Sequence, residues 1–246
     1  MVHPRRPTAL SPSQAGAVAA PARIQVVPVR LRAGLFGLTL VAGWVDALSF
    51  LGLGKVFTSF MSGNVLFCGI ALGQRDWSLL ANALVALLAF VGGAVAGAEL
   101  VRRHPPGTRR LSRPLLLAEA FVLLVFALAW MARGGPGEWP GGETGLLMLA
   151  AFGMGMQALA VIVLGIPGVA TNALTGTVTF IAHSLHRRLR GEPEPAAVGS
   201  RYLLLLCLAY LVSAAMVALT ARFRSIALVP FTLLLWVALL TGGSAR

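Results

Sequence analysis

Asp46 is one of eight acidic residues in the chain, and it stands inside an apolar run, 33–53. An Asp at the centre of a membrane helix costs about 2.5–3.5 kcal/mol on an insertion scale, so it faces a bundle interior or a wet cavity. Two roles suit it. It can exchange a proton or cation as its surroundings change, or it can cap a broken helix by accepting hydrogen bonds from the 52–56 backbone or pairing with Lys55. The sequence leaves both open.

Just beyond it Thr58, Ser59, Ser62 and Asn64 form a polar cluster, and Thr171, Asn172, Thr175 and Thr177 form a second. Each cluster lies at a helix break, marked by Gly52, Gly54 and Gly63 in the first case and by Gly165, Pro167, Gly168 and Gly176 in the second. Hydroxyls, amides and freed backbone groups at the start of a half-helix can bind a small polar or anionic solute, helped by the positive end of the helix dipole. The same residues can also do no more than satisfy backbone groups and let helices approach closely.

The other ionisable residues favour anchoring over catalysis. Glu99 precedes Arg102 and Arg103 at ion-pair spacing. Glu119, inside a later apolar run, can join a proton path or reach back toward Arg113, and the structural role is the simpler. His183 and His186 lie beside Arg187 and Arg188 with no carboxylate or thiolate at metal-binding spacing, so no metal or cofactor is expected. Cys68 and Cys207 are isolated packing residues. No zinc-protease, hydrolase or phosphate-loop motif is present, and enzymatic activity is not expected.

Positioning these residues requires long apolar elements. Six runs, 33–53, 78–101, 114–132, 144–165, 202–221 and 225–242, have the length of membrane-spanning helices, which need about 20 apolar residues. Their Gly, Ala and Leu content without alternation favours helices over barrel strands. Segments 56–72 and 168–185 are shorter and start at the breaks, so they are expected to be broken or re-entrant. The fold class is all-α, a helical transmembrane bundle of about six spans plus those two segments. Gly93 and Gly97 mark a close helix contact, within the bundle or between protomers of a homo-oligomer.

A shift of 113 residues superposes 52–64 on 165–177. Val56 then falls on Val169, Thr58 on Thr171 and Gly63 on Gly176, and a two-residue gap brings Asp46 onto Gln157. The expected organisation is a basic cytoplasmic leader, 1–32, a first transmembrane repeat, 33–132, and a second, 144–242. Six spans in two halves make the repeat an inverted one, the plan of many secondary transporters.

Charge supports six spans. The chain of 246 residues is 57% hydrophobic and 11% charged, with a net charge of +12. In a soluble protein that excess would suggest nucleic acid, but mean hydropathy is +0.83 and the arginines flank apolar runs. If 56–72 and 168–185 do not cross, fifteen basic residues fall on one side and five on the other; if both cross, the division is twelve to eight. The positive-inside rule prefers the first, with the N-terminus in the cytoplasm and the basic loops near anionic lipid headgroups.

The string Gly43-Trp44-Val45-Asp46-Ala47-Leu48-Ser49-Phe50-Leu51-Gly52-Leu53-Gly54, with Val56-Phe57-Thr58 and Met61-Ser62-Gly63-Asn64, resembles the signature of the YoaK-type family of bacterial integral membrane proteins of unknown function. Segment 168–177 is similar to that family's second motif. Ser62 stands where the family more often has Thr. The resemblance implies a multispanning protein of the bacterial cytoplasmic membrane and no established activity. From the residues, the leading expectation is a small-solute transporter or permease with proton or cation coupling through Asp46, with Gln157 its neutral counterpart. The alternative is a non-transporting membrane scaffold or sensor.

Overall fold

The computed structural model describes residues 27–102, 111–132, 142–171, 174–192, 198–220 and 223–241. The chain order is α1 (Val29–Gly52), α2 (Met61–Gln74), α3 (Trp77–Val101), α4 (Arg113–Ala132), α5 (Gly142–Ile162), α6 (Leu174–Leu189), α7 (Ser200–Thr220) and α8 (Val229–Thr241), the last entered through a 3₁₀ turn, Arg224–Leu228. Among the described residues there is no strand. Six of these elements are long and apolar enough to cross a membrane, at the positions the apolar runs indicate. The protein is an all-α transmembrane bundle.

Three boundaries differ from the sequence expectation. Helix α1 begins at Val29, inside the stretch assigned to the leader, because Pro28 fixes an extended entry and the helix proceeds from there; residues 1–26 lie outside the described residues. The last span is not one continuous α-helix, since Arg224–Leu228 is wound as a 3₁₀ turn immediately before Pro230, which has no N–H to donate. Gly63 and Gly176, read as breaks, sit in the first turns of α2 and α6 instead.

Helices α1 and α5 are the central elements, with 67% and 61% of their apolar windows buried, against 17% for α3 and 28% for α7. The outer helices turn large apolar side chains such as Leu88, Val95, Phe121 and Leu219 outward, the surface a bilayer covers. Helix α1 packs on α7 and α8, α5 packs on α3 and α4, α2 lies on α3, α6 lies on α7, and α4 meets α8.

The closest approach is between α3 and α5. A Cβ on Gly93 would strike the Phe152 carbonyl, and one on Gly155 would strike the Phe90 carbonyl. Gly97 faces Met156 and Leu159 on the same seam, so the Gly93/Gly97 pair serves a contact within the chain. Gly43 makes the corresponding close approach to α7, against Tyr210 and Ser213.

Neighbouring ends reveal the path. The Tyr202 hydroxyl donates to the Arg32 carbonyl at 2.6 Å, and Leu111 and Thr241 meet Gly34. The starts of α1, α4 and α7 therefore share one end of the bundle with the end of α8. At the other end Gly52 meets Trp130 and the Trp44 indole donates to the Ile226 carbonyl at 2.9 Å. Gly54 abuts Asn82, and a cleft lined by Gly54, Lys55, Asp76, Ser78 and Asn82 joins the end of α1 to the start of α3. Helix α2 thus returns to the end from which the preceding loop departed. Arg75 in the left-handed region closes the α2–α3 corner, and Asp76 caps α3 by accepting from the Leu79 N–H at 2.9 Å.

Two predictions follow from this packing. Gly93→Ala should lower the melting temperature of the purified protein, because overpacking against backbone costs about 1–3 kcal/mol, whereas Gly92→Ala, which meets Phe152 only at 3.7 Å, should not. Equal melting of the two variants would contradict the α3–α5 seam. In a background lacking Cys68 and Cys207, Ser78→Cys and Arg190→Cys should react with an impermeant maleimide from opposite faces of sealed vesicles; labelling from one face would contradict the path.

Candidate functional site

The first break is built around Asp46. It lies six residues before the end of α1, about 9 Å by helical rise, and the loop 53–60 folds back alongside it. Its Oδ1 accepts from the Thr58 N–H at 2.7 Å, the Thr58 hydroxyl at 2.9 Å and the Ser59 N–H at 2.7 Å. Its Oδ2 accepts from the Ser59 hydroxyl at 2.5 Å and from the Tyr210 hydroxyl at 2.6 Å. Five donors thus converge on one carboxylate that is 2% exposed. Tyr210 is the eleventh of the 21 residues of α7, so the loop tip stands level with that helix's middle.

Side chains also pair further backbone groups of the loop. Ser49 Oγ lies 3.1 Å from the Val56 carbonyl. Asn64 replaces a missing strand or helix partner for Phe57, accepting from its N–H at 2.9 Å and donating to its carbonyl at 2.6 Å. Pairing of this kind is what irregular backbone needs away from water. Phe57 stacks between Phe50 and Phe67, with centroids at 5.2 and 5.8 Å, and meets Phe60 edge-on at 5.5 Å. Gly54 has φ +87° and Lys55 φ 59°, the tight corner that starts the return. Asp46 accepts from residues 58–59 and Tyr210; the 52–56 backbone and Lys55 are not its partners. Thr58 lies fully buried in this network.

Among the described residues the second break repeats the theme with fewer bonds. The Gln157 amide donates to the Leu38 carbonyl of α1 at 3.0 Å and to the Thr171 hydroxyl at 3.3 Å. The Thr177 hydroxyl donates to the Gly168 carbonyl at 3.0 Å, as Asn64 does to Phe57. Gly165 and Gly168 take positive φ, +58° and +78°, and Gly168 sits against Phe180. Pro167 lies between them, and Asn172 lies outside the described residues.

The two breaks meet at Phe60. On one side is a cavity of about 570 Å³ lined by Phe57, Phe60, Leu174, Thr175, Thr179 and Tyr210. On the other is one of about 400 Å³ lined by Ser59, Phe60, Ser62, Phe90, Ala158 and Val169, among others. The first turns of α2 and α6 therefore open onto neighbouring cavities that share Phe60, Ser62 lining one and Thr175 the other. Their walls are mainly apolar, with a few hydroxyls to orient a ligand, the usual make-up of a small-molecule pocket.

This geometry rests on the segments that carry the sequence motifs, and a family description, protein of unknown function (DUF1275), matches residues 34–241. The chain belongs to this family. A relative from Bacillus subtilis (strain 168), the UPF0700 transmembrane protein YoaK, is 34% identical over 155 residues, 62% of this chain, and the match spans 66% of the relative's length. No solved structure matches the chain.

In this DUF1275 chain two site residues escaped the sequence reading. Tyr210 is one of two tyrosines, and its position amid the apolar residues of α7 was the available signal. Ser49 follows Asp46 by three residues, so one helix face carries both. Glu99 pairs with Arg102 at 2.8 Å, as its spacing indicated, whereas Glu119 leaves Arg113 alone. Among the described residues no group of three His, Cys, Asp or Glu could hold a metal.

Replacing Asp46 by Ala would leave two backbone N–H groups without acceptors, at about 1–3 kcal/mol each. Asp46→Ala should therefore melt far below the native protein, while Tyr210→Phe, which removes one bond to the carboxylate, should lose about 1.5–3 kcal/mol. In a double-mutant cycle the two losses should be less than additive. Strict additivity would show that Tyr210 and Asp46 act independently.

Proposed function

We propose that this DUF1275 member is a small-solute permease of the bacterial cytoplasmic membrane, with an inverted repeat, a cytoplasmic N-terminus and no enzymatic activity. One observation carries the reading: the starts of both interrupted helices, α2 and α6, open onto cavities that share Phe60. Discontinuous helices that present N-termini to a site between two halves are the transporter arrangement for solutes with acceptor groups.

The packing supports the repeat. Exchanging α1–α4 with α5–α8 turns the α1–α7 pair into α5–α3, α1–α8 into α5–α4, and α2–α3 into α6–α7, all of them present. Aligned contacts run parallel along α1 and α7 and along α3 and α5, as an opposed second half requires. Orientation rests on the arginine excess beside the starts of α1, α4 and α7. The solute is small and polar or anionic, held by Ser62, Thr175 and Tyr210 with Phe60 between the two chambers.

A scaffold or sensor is the second reading, favoured by the saturation of Asp46, whose every donor is already within the protein. Reconstituted vesicles separate the two. A permease should accelerate equilibration of at least one compound in a panel of organic acids, amines, sugars and inorganic ions, and Phe60→Trp should reduce that rate by filling the cavities. Native-level flux in empty vesicles across the whole panel would sink the permease reading.

A further inference from the structure

Glu119 is fully buried in α4, and neither carboxylate oxygen has a hydrogen-bond partner. Gln157 of α5 is likewise fully buried, and its Oε1 has none. The two residues lie on helices packed against each other. Gly153 of α5 faces Leu123 of α4, and Leu115, two turns earlier on α4, borders Gly97 together with Met156, three residues later on α5, so α4 and α5 run antiparallel. One turn back from Leu123 is Glu119, and one turn on from Gly153 is Gln157; residues four apart share a helix face. These contacts put Glu119 on the face of α4 that packs against α5, within about one turn of the level of Gln157.

The amide's orientation is fixed, because Nε2 donates to the Leu38 carbonyl, which can only accept, and to the Thr171 hydroxyl. Oε1 is what remains. Three buried acceptor atoms on this helix pair thus have no donor among the described residues. Among the described residues no cation of the packed elements faces them. Helix α8 carries no ionisable residue, α5 carries only Glu143 at its far end, and the 3₁₀ turn carries Arg224 beside the opposite end of α4. On α3, Glu99 is bound to Arg102. Arg113 of α4 is exposed, Arg32 of α1 lies over the Tyr202 ring, and Asp46 is occupied by its own donors.

We propose that Glu119 binds a proton at neutral pH and donates it to Gln157 Oε1, making a proton-binding site between α4 and α5 at the second break. A single proton removes the unpaired charge and turns one of three competing acceptors into the missing donor. Through Gln157 the site reaches Thr171, and so the second interrupted segment. That segment has a carboxyl group after all, supplied by the first half of the chain at the place where the repeat substitutes Gln for Asp. This assignment is independent of whether the protein carries a solute.

Infrared spectroscopy of the full-length protein in liposomes tests it. At neutral pH the wild type should show a carboxylic-acid carbonyl band that shifts when glutamate is carbon-13 labelled, is lost in Glu119→Gln and moves in Gln157→Leu, which removes the acceptor. Glu119→Gln should melt at or above wild type, since its amide can donate to Gln157 in the proton's place. Absence of a glutamate-sensitive acid band in the wild type would overturn the proposal, whatever the variants do. A sodium-dependent rise in melting temperature that disappears in Glu119→Gln would also overturn it, in favour of a metal cation between the same oxygens.

Discussion

Backbone polar groups taken away from water must find partners inside the protein, and the break after α1 exposes a run of them at the level of a helix middle. Each unsatisfied group there costs several kcal/mol. Asp46 meets that demand with one residue: two backbone N–H groups and three hydroxyls point at it from the loop and from α7. The same carboxylate that is costly in an apolar helix becomes its organiser. With Asp46 in place, loop 53–60 can turn back along α1, α2 can start in the interior, and the cavities around Phe60 can exist between the two breaks.

The bundle around this centre uses a different device. Helix α3 touches α5, and α1 touches α7, through glycines that bring backbone against backbone. Without a hydrophobic force between helices in lipid, such close packing is the main source of association. The two devices are joined at Tyr210: its backbone receives Gly43 while its hydroxyl reaches Asp46. Rigid parallel pairs thus hold the frame within which polar side chains place the two interrupted segments.

Much of this was legible in the residues. The six spans follow from length and hydropathy, and the interrupted segments follow from glycine and proline beside clustered hydroxyls, because helices in an apolar medium tolerate few other arrangements. Asp46 announced itself by being charged in the wrong solvent. Its partners were less legible: Thr58 and Ser59 are near in sequence, but Tyr210 is 164 residues away and no local pattern links the two. Gly63 misled for a physical reason. Glycine early in a segment marks either a break or a close approach, and Gly63 serves the latter, with Phe57 and Phe60 against it.

The two breaks are unequal in a way that bears on movement. Around Asp46 donors and acceptors balance, so displacing loop 53–60 from α1 means breaking bonds to a buried carboxylate, each worth about 1.5–3 kcal/mol. Around Gln157 the bonds among the described residues are two weaker amide bonds, and the balance of Oε1 depends on the proton proposed for Glu119. The tight break is anchored to α1 and α7, while among the described residues the second is joined to α5 through the Gln157–Thr171 bond, and α5 in turn to α1 through Gln157 and Leu38. If one interrupted segment shifts against the frame, the smaller energetic barrier lies at the second. Any change in protonation or occupancy at the second break then alters a balance that the tight break has already settled.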